Sequence, residues 1–268
     1  MTTRSLCQPD AQKSCGACCG LYNYRGTNRE RLEAMLRRRT EAFSLLGKPD
    51  PEKLGSFSRW VRSQEPDGKL LETIYNCEFL GFLDPGARKV GCLLHPARHP
   101  AELDDLRACS FYGAELCAGH LCLSYQKLTP EESFCVIRSL DDWYLYGICI
   151  TDIDLCKAFF REVSSRLGGQ PSLAVLAREE VCRAARSFFA LKIDWPFRTG
   201  EDGRFGKYCL TEDEYREARI PYRDLGVRPS RYDTILLSLA SRFSSADELA
   251  AAEALVDRRV AAFVRACG

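Results

Sequence analysis

Cysteine is the residue type in this sequence whose number and spacing point most directly to chemistry. The chain holds 15 cysteines against only three histidines, and the run KSCGACCG at residues 13 to 20 places Cys15, Cys18 and Cys19 within five positions. Such thiols serve as dithiol redox pairs, disulfide frameworks or metal ligands. A chain of 268 residues with 46% hydrophobic content can bury a core without disulfides, and an odd cysteine total does not suit complete pairing.

The CGAC segment from Cys15 to Cys18 has the spacing of a dithiol redox motif, but its surroundings disfavour that interpretation. A thioredoxin-like pair follows a buried strand, whereas the preceding CQPDAQKS is polar and turn-like. A third thiol at Cys19 would also compete for a mixed disulfide. We therefore favour metal ligation, because two cysteines separated by two residues can turn back on one ion or cluster, and Gly16 suits that turn.

Further thiols lie in loop-like settings in the first half of the sequence. Cys19 directly follows Cys18, and neighbouring side chains usually point in different directions, so Cys19 is expected to serve a second centre or to bridge two. The other candidates lie in the segments CQPD, NCEFLGFL, VGCLLHP and ELCAGHLC, and they are Cys7, Cys77, Cys92, Cys117 and Cys122. Eight thiols can make one or two four-cysteine sites, and both remain open here.

The remaining cysteines fit a packing role. Cys109 continues the helical interval of Leu103 and Leu106, which predicts a place in a core. The last six are single and widely spaced, most of them on apolar faces where cysteine behaves as a small hydrophobe. They are Cys135, Cys149, Cys156, Cys182, Cys209 and Cys267.

The motifs CGACC, CEFL and GCLLHP together resemble the YkgJ-type CxxCxxCC family of bacterial proteins, which are described as zinc- or iron-chelating. The flagellin lysine methylase, which carries an iron-sulfur cluster, contains a related motif. The resemblance covers residues 7 to 125 of this sequence. It implies that five positions are metal ligands, namely Cys15, Cys18, Cys19, Cys77 and Cys92.

The sequence departs from that family at two places. Gln12 stands where the family has a cysteine three residues before CGACC, so Cys7 is the candidate substitute. The family's Arg-Pro followed closely by cysteine is replaced by ARHPAEL, which has no nearby thiol. Cys117 and Cys122 are the candidate replacement for that third ligand group.

Spacing does not select the metal, because four thiolates satisfy zinc and an iron-sulfur cluster alike. We expect one or two 4Fe-4S clusters, since this many thiols without paired histidines exceed the need of one structural zinc and the resemblance points the same way. Zinc is the alternative. The corresponding functions are electron transfer or redox sensing, a cluster-dependent enzyme such as a protein methylase, or a zinc-stabilised structural or interaction module. Since no glycine-rich cofactor loop or C-x3-C-x2-C radical motif is present, turnover stays open.

Histidines add little to the predicted ligand set. His95 and His99 are four residues apart, but Pro96 and Pro100 disrupt the helix that would align them. His120 lies between Cys117 and Cys122 and could hydrogen-bond to a ligand or replace a thiolate.

The elements around these thiols divide the chain into two parts. NRERLEAMLRRRTEAFSLLG predicts a helix from Asn28 that ends at Gly47, and GKPDPEK then breaks the chain. Residues 70–94 look like short extended pieces around a DPG turn. Thr129 as a cap, with Glu132 three residues later, predicts the start of a helix. From there onward the pattern is helical, with SLAVLAREEVCRAARSFFALKI as one such run, apart from a polar glycine-rich stretch at 198–208. The predicted fold is mainly α, with a cysteine-rich, loop-dominated metal-binding part (1–128) packed on a C-terminal helical bundle (129–268) as one globular unit.

Charge and hydropathy limit the partners. The formal net charge of +1 provides no global field for nucleic acid or an anionic membrane. No apolar run has signal-peptide or membrane-span length, so we expect a cytoplasmic chain that does not enter a membrane. A redox or other protein partner is compatible with these features, and the sequence does not indicate an oligomeric state.

Overall fold

The computed structural model describes residues 5–26, 28–65, 68–100, 103–198 and 219–268, and its fold is mainly helical, as expected. Two compact units are present. The first, here called the cysteine unit, comprises Met1–Cys122 and Asp142–Tyr144, and the second, the helical unit, comprises Leu123–Asp141 and Leu145–Gly268. Cys209 and all but the first residue of the glycine-rich stretch at 198–208 lie outside the described residues.

Two helices open the cysteine unit, α1 (Arg29–Ser44) and α2 (Pro51–Ser63). Helix α1 confirms the predicted helix and begins where the Asn28 side chain accepts a hydrogen bond from the Arg31 N–H. The sequence analysis did not predict α2, because GKPDPEK was interpreted only as a break. In fact Asp50 caps this helix and Pro51 occupies its first turn, which is a common way for a helix to start.

A short antiparallel hairpin follows, formed by β1 (Leu80–Phe82) and β2 (Val90–Cys92). This confirms the expectation of short extended pieces around the DPG turn. Asp84 stabilises the turn, since its Oδ1 accepts hydrogen bonds from the backbone N–H groups of Arg88 and Lys89 at 3.0 and 2.7 Å. The register pairs Cys92 with Leu80, which places Cys92 across from the segment that carries Cys77.

The rest of the cysteine unit consists of short helical turns and loops around a hydrophobic cluster. The turns are the 3-10 helices Ala17–Cys19, Pro96–Arg98 and Leu106–Cys109 and the seven-residue helix α3 (Gly113–Gly119). The cluster combines apolar side chains from α2, the hairpin and the following loop, with Cys77 among them. Its buried members are Leu54, Phe57, Val61, Cys77, Phe79, Leu93, Leu94 and Leu106.

Nine helices account for the described part of the helical unit. They are α4 (Ser124–Lys127), α5 (Pro130–Ser139), α6 (Trp143–Ile150, whose first two residues belong to the cysteine unit), α7 (Ile153–Leu167), α8 (Leu173–Leu176), α9 (Glu179–Phe189), α10 (Leu191–Asp194), α11 (Asp233–Ser238) and α12 (Ala246–Cys267).

Local signals explain where several of these helices begin and end. Thr129 and Glu132 form the predicted capping box of α5, and α7 ends at Gly168 in the left-handed conformation that glycine favours. Aromatic packing joins α7, α9 and α12: the ring centroids of Phe159 and Phe188 are 4.1 Å apart, and those of Phe159 and Phe263 are 4.9 Å apart. These contacts form the core of the helical unit.

Candidate metal centre

All eight predicted ligand residues lie in the cysteine unit, although they come from distant parts of the sequence. The structure describes 14 of the 15 cysteines, and all 14 are thiols. Cys77 is buried, and the other seven candidates are partly buried. The candidate ligands therefore share one compact unit and are neither fully solvated nor joined in disulfide bonds.

The N-terminal thiols are positioned by backbone hydrogen bonds. The Cys15 N–H donates to the Cys7 carbonyl at 2.9 Å, which brings these two residues together. Cys18 and Cys19 occupy successive positions of the 3-10 helix Ala17–Cys19, which ends at Gly20 with a φ of 77°. Because a 3-10 helix has three residues per turn, the side chains of Cys18 and Cys19 leave it about 120° apart.

Four thiols form one neighbourhood, here called the amino-terminal thiol group. Burial raises the pKa of Cys15, and the charges of Cys7 and Cys122 raise it further. A hydrogen bond with the Cys122 thiol is the main cause of the raised pKa of Cys18, followed by burial and the charge of Cys15. The members of the group are Cys7, Cys15, Cys18 and Cys122.

The other four candidates form a second neighbourhood, here called the core thiol group. Burial raises the pKa of Cys19 well above its ordinary value, and neighbouring thiols raise it further. Burial likewise raises the pKa of Cys77 to about 12 and that of Cys92 to about 11, with a contribution from the charge of Cys117 in both cases. The three thiols that act most on Cys19 are the other members of the group, Cys77, Cys92 and Cys117.

Backbone contacts and apolar packing hold the core thiol group together independently of these charges. The Cys77 N–H donates to the Cys19 carbonyl at 2.9 Å. The Leu93 N–H donates to the Phe79 carbonyl at 2.8 Å, which continues the pairing of the hairpin beyond its strands. Cys77 belongs to the hydrophobic cluster, and Cys19 and Cys92 pack against it. Three sequence segments are thus fixed around one apolar centre.

A buried arginine positions Cys77. Arg39 is 3% exposed, and its Nη1 donates to the Cys77 carbonyl at 3.2 Å. Its Nη2 donates to the Tyr24 hydroxyl at 2.8 Å and to Glu65 Oε1 at 3.0 Å. Burial raises the pKa of Glu65 while the Arg39 charge opposes that change. The network ties α1 to the loop that carries Cys77.

Sequence analysis did not identify Arg39, although a signal was present. The basic stretch of α1 looks like a solvated helix face, and Arg37 behaves in that way because it pairs with Glu33 one turn earlier at 2.7 Å. Arg39, however, lies three residues after the buried Leu36 and seven after Leu32, on the apolar face. Its position in the helical period, rather than its charge, indicated burial.

A second polar cluster holds the residue after Cys77 against α2. Glu78 is 1% exposed and accepts hydrogen bonds from Arg62, from the Tyr75 hydroxyl at 2.5 Å and from Ser58 at 3.2 Å. Tyr75 in turn stacks on Phe111 with ring centroids 4.2 Å apart. That stacking brings the loop before α3, and with it Cys117, to the segment that carries Cys77.

Asn76, the residue before Cys77, has a buried hydrogen-bond donor without an acceptor among the described residues. Its Oδ1 accepts from Asn23 Nδ2 at 3.0 Å, but its own Nδ2 has no hydrogen-bond partner among the described residues. The residue packs closely on Gly20, where an added Cβ would lie 2.7 Å from Asn76 Oδ1. Since a buried unpaired N–H is costly, a partner supplied by a bound group would stabilise this position.

The histidines and Cys109 lie outside both thiol groups. His95 Nδ1 accepts from the Ala97 N–H at 3.2 Å, His99 Nε2 contacts the Leu93 carbonyl at 2.8 Å, and His120 is exposed. The prediction that Cys109 packs in a core is wrong, because this thiol is exposed. The segment Leu106–Cys109 is one short 3-10 turn, and only Leu106 is buried in it.

Across residues 5–26, 28–65, 68–100, 103–198 and 219–268, no group of three or more His, Cys, Asp or Glu side chains is set to hold a metal ion. The two thiol groups are thus defined by hydrogen bonds, packing and mutual charge effects.

Comparisons with protein-family models, with curated proteins and with solved structures find no match to this chain. Within the described residues, no helix is long and apolar enough to cross a membrane.

Proposed function

We propose that the protein binds iron-sulfur clusters through its N-terminal cysteines and transfers electrons. The observation that carries the proposal is the gathering of eight thiols from separate sequence segments into one compact unit. They come from residues 7–19, from the segment of Cys77, from β2, and from α3 with the loop after it. A packing role alone would not require these thiols to lie in one unit.

The environment of the thiols suits a soft, positively charged centre. Burial disfavours the thiolate and raises the pKa values of Cys15, Cys19, Cys77 and Cys92. A bound cation compensates that cost and displaces the protons. Thiolate ligands select iron-sulfur clusters, zinc or copper(I) over hard cations.

One feature favours iron-sulfur over zinc: the unpaired Nδ2 of Asn76 lies on the residue next to Cys77. A donor in that position suits inorganic sulfide and thiolate acceptors, and hydrogen bonds to sulfur tune cluster potentials.

The position of α3 suits exchange of electrons with a partner protein. This helix has no buried residue, and Cys117 lies on it. A centre that includes Cys117 would therefore lie under a solvent-exposed helix, close to the surface. When bound, a cluster supplies a one-electron couple, while the chain supplies the thiolates, the buried donor and the apolar wall of the hydrophobic cluster.

Metal analysis of anaerobically purified protein tests this function. We expect iron and acid-labile sulfide in equal amounts, a brown colour with broad absorption at about 400 nm, and reversible bleaching by a reductant. Colourless protein with stoichiometric zinc, or protein without metal after cluster reconstitution, would overturn the proposal.

A matched pair of variants links the metal to the proposed ligands. Cys77→Ala should reduce the bound iron, whereas Cys182→Ala, in the helical unit, should leave it unchanged. Circular dichroism should show that both variants keep their helices. Equal retention of iron in both would refute the division of the cysteines into ligands and packing residues.

A further inference from the structure

We propose, given the function above, that the eight thiols form two separate four-thiol centres and that the chain passes from one to the other between Cys18 and Cys19. The first centre is the amino-terminal thiol group, and the second is the core thiol group. The sequence left open how many centres there are and which thiols share one. At two places in the fold, candidate ligands that are close in sequence are directed to different thiol groups.

The first divergence is the 3-10 helix Ala17–Cys19. The Cys19 N–H donates to the Gly16 carbonyl at 3.1 Å and the Gly20 N–H to the Ala17 carbonyl at 2.8 Å, so the turn is fixed. Successive side chains of this turn point about 120° apart. Accordingly, Cys19 packs against the hydrophobic cluster that contains Cys77, whereas Cys18 is not among the described side chains packed on that cluster.

The second divergence separates Cys117 from Cys122. Cys117 lies within α3, and its Sγ is 3.7 Å from Ser110 Oγ, in the loop that Tyr75 holds through Phe111. Helix α3 ends at Gly119, and His120 is already extended with ψ at 121°. The chain therefore leaves the helix direction before Cys122 and can reach the other thiol group.

The two groups also have different surroundings. The core thiol group borders the hydrophobic cluster through Cys19, Cys77 and Cys92. The described members of that cluster and the residues packed on it include no thiol of the amino-terminal group. That group is built on polar turns instead, where Lys13 is 4% exposed and pairs with Asp10 at 2.5 Å.

The peptide bond between Cys18 and Cys19 would make the two centres close neighbours. Two paramagnetic centres joined through adjacent ligands interact magnetically. That interaction provides a readout that does not depend on any assay of activity.

The test is cluster stoichiometry in group-specific variants of the full-length chain. The wild-type protein should contain about eight iron and eight sulfide per chain. Cys7→Ala/Cys122→Ala should lose one half of the iron, and Cys77→Ala/Cys92→Ala the other half. Cys18→Ala should match the first variant in its spectrum and Cys19→Ala the second, with Cys109→Ala as the control that loses none.

Electron paramagnetic resonance of the fully reduced protein supplies a second measurement that needs no substitution. The wild-type spectrum should be split or broadened by interaction between two centres and should simplify in each half-loaded variant. About four iron per chain, an unsplit signal and complete loss of iron in either group variant would overturn the two-centre proposal while leaving an iron-sulfur protein. Absence of iron from the wild-type protein would instead overturn the proposed function. Two zinc ions per chain, one of them lost in the variants of each thiol group, would support two separate centres but exclude iron-sulfur clusters.

Discussion

The cysteines of the helical unit differ from those of the cysteine unit in what their thiols contact. Cys156 Sγ donates to the Cys149 carbonyl at 3.4 Å, and Cys182 Sγ donates to the Leu176 carbonyl at 3.5 Å. The fold itself thus satisfies these thiols. In the cysteine unit, by contrast, a hydrogen bond with another thiol, that of Cys122, is the main cause of the raised pKa of Cys18.

Burial alone does not distinguish a ligand from a packing residue. Burial raises the pKa of Cys135 in the helical unit to about 12, the same value as for Cys77. The difference lies in the neighbours, because Cys135 lies 3.9 Å from Ser139 Oγ within its own helix, whereas Cys77 is held by Cys19 and Arg39 from distant segments.

Metal removal should produce the largest difference between the units. Stripping the clusters with an oxidant and a chelator should destabilise the cysteine unit by on the order of 10 kcal/mol, since structural metal binding is coupled to folding. Hydrogen exchange should accelerate at the amides of Cys77 and Leu93 and stay slow in α7 and α9. Equal acceleration in both units would contradict this comparison.

Loss of the Arg39 side chain should be the next largest effect. Arg39→Leu leaves the Cys77 carbonyl and the half-buried Glu65 without their cation, which should cost about 3–5 kcal/mol in denaturant unfolding. Arg37→Leu, on the exposed side of the same helix, should cost only about 0.3–0.5 kcal/mol. Similar losses in both variants would show that Arg39 does not fix the ligand loop.

Alkaline pH should affect the two units differently once metal is bound. A thiol whose pKa is raised on folding stabilises the native state below the unfolded pKa of about 9, and this stability is lost as the pH rises toward the folded value. Each such thiol contributes a slope of about 1.4 kcal/mol per pH unit between those values. Without metal, unfolding free energies of both units should fall between about pH 9 and 11.

In the metal-loaded protein the alkaline loss should persist only in the helical unit. The ligand sulfurs are then thiolates already, so they release no further proton when the chain unfolds. Denaturant melts at about pH 8 and pH 10, followed separately for each unit by hydrogen exchange, check this sign. If the unfolding free energy of the cysteine unit falls equally at alkaline pH with and without bound metal, those thiols are not ligands.

The smallest expected effect comes from replacing single thiols outside both groups. Cys156→Ala removes a fully buried sulfur and should cost about 1 kcal/mol with no change in metal content. Cys109→Ala removes an exposed thiol and should change stability by less than about 0.5 kcal/mol. Loss of iron in either variant would extend the ligand set beyond the eight thiols.

Local signals in the sequence predicted much of the secondary structure. Thr129 with Glu132 predicted the start of α5, the DPG turn predicted the short extended pieces that pair as the hairpin, and the apolar period predicted α1. The start of α2 was missed because Pro51 was interpreted as a break rather than as a first-turn residue. The run after Ser172 was one predicted helical pattern, but it forms three helices, since α8 and α10 are single turns beside α9.

The candidate site was predictable as a list of thiols but not as two groups. Type and spacing selected all eight candidates, and the structure places them in the cysteine unit. Their grouping depends on long-range contacts such as the hydrogen bond from Cys77 to Cys19 across 58 positions. No local pattern encodes such contacts. The bound metal itself stays a prediction.

Gly20, which follows Cys19, packs so closely on Tyr75 and Asn76, which precede Cys77, that no side chain fits at this position. Any other residue would place its Cβ 2.5 Å from the Tyr75 carbonyl oxygen, on a backbone already turned to a φ of 77°. The crossing of the two loops thus depends on the smallest amino acid, and a saturation library at this codon that selects for brown colonies should return glycine alone. Even the methyl group of alanine would push apart the loops that carry Cys19 and Cys77, without contacting either sulfur.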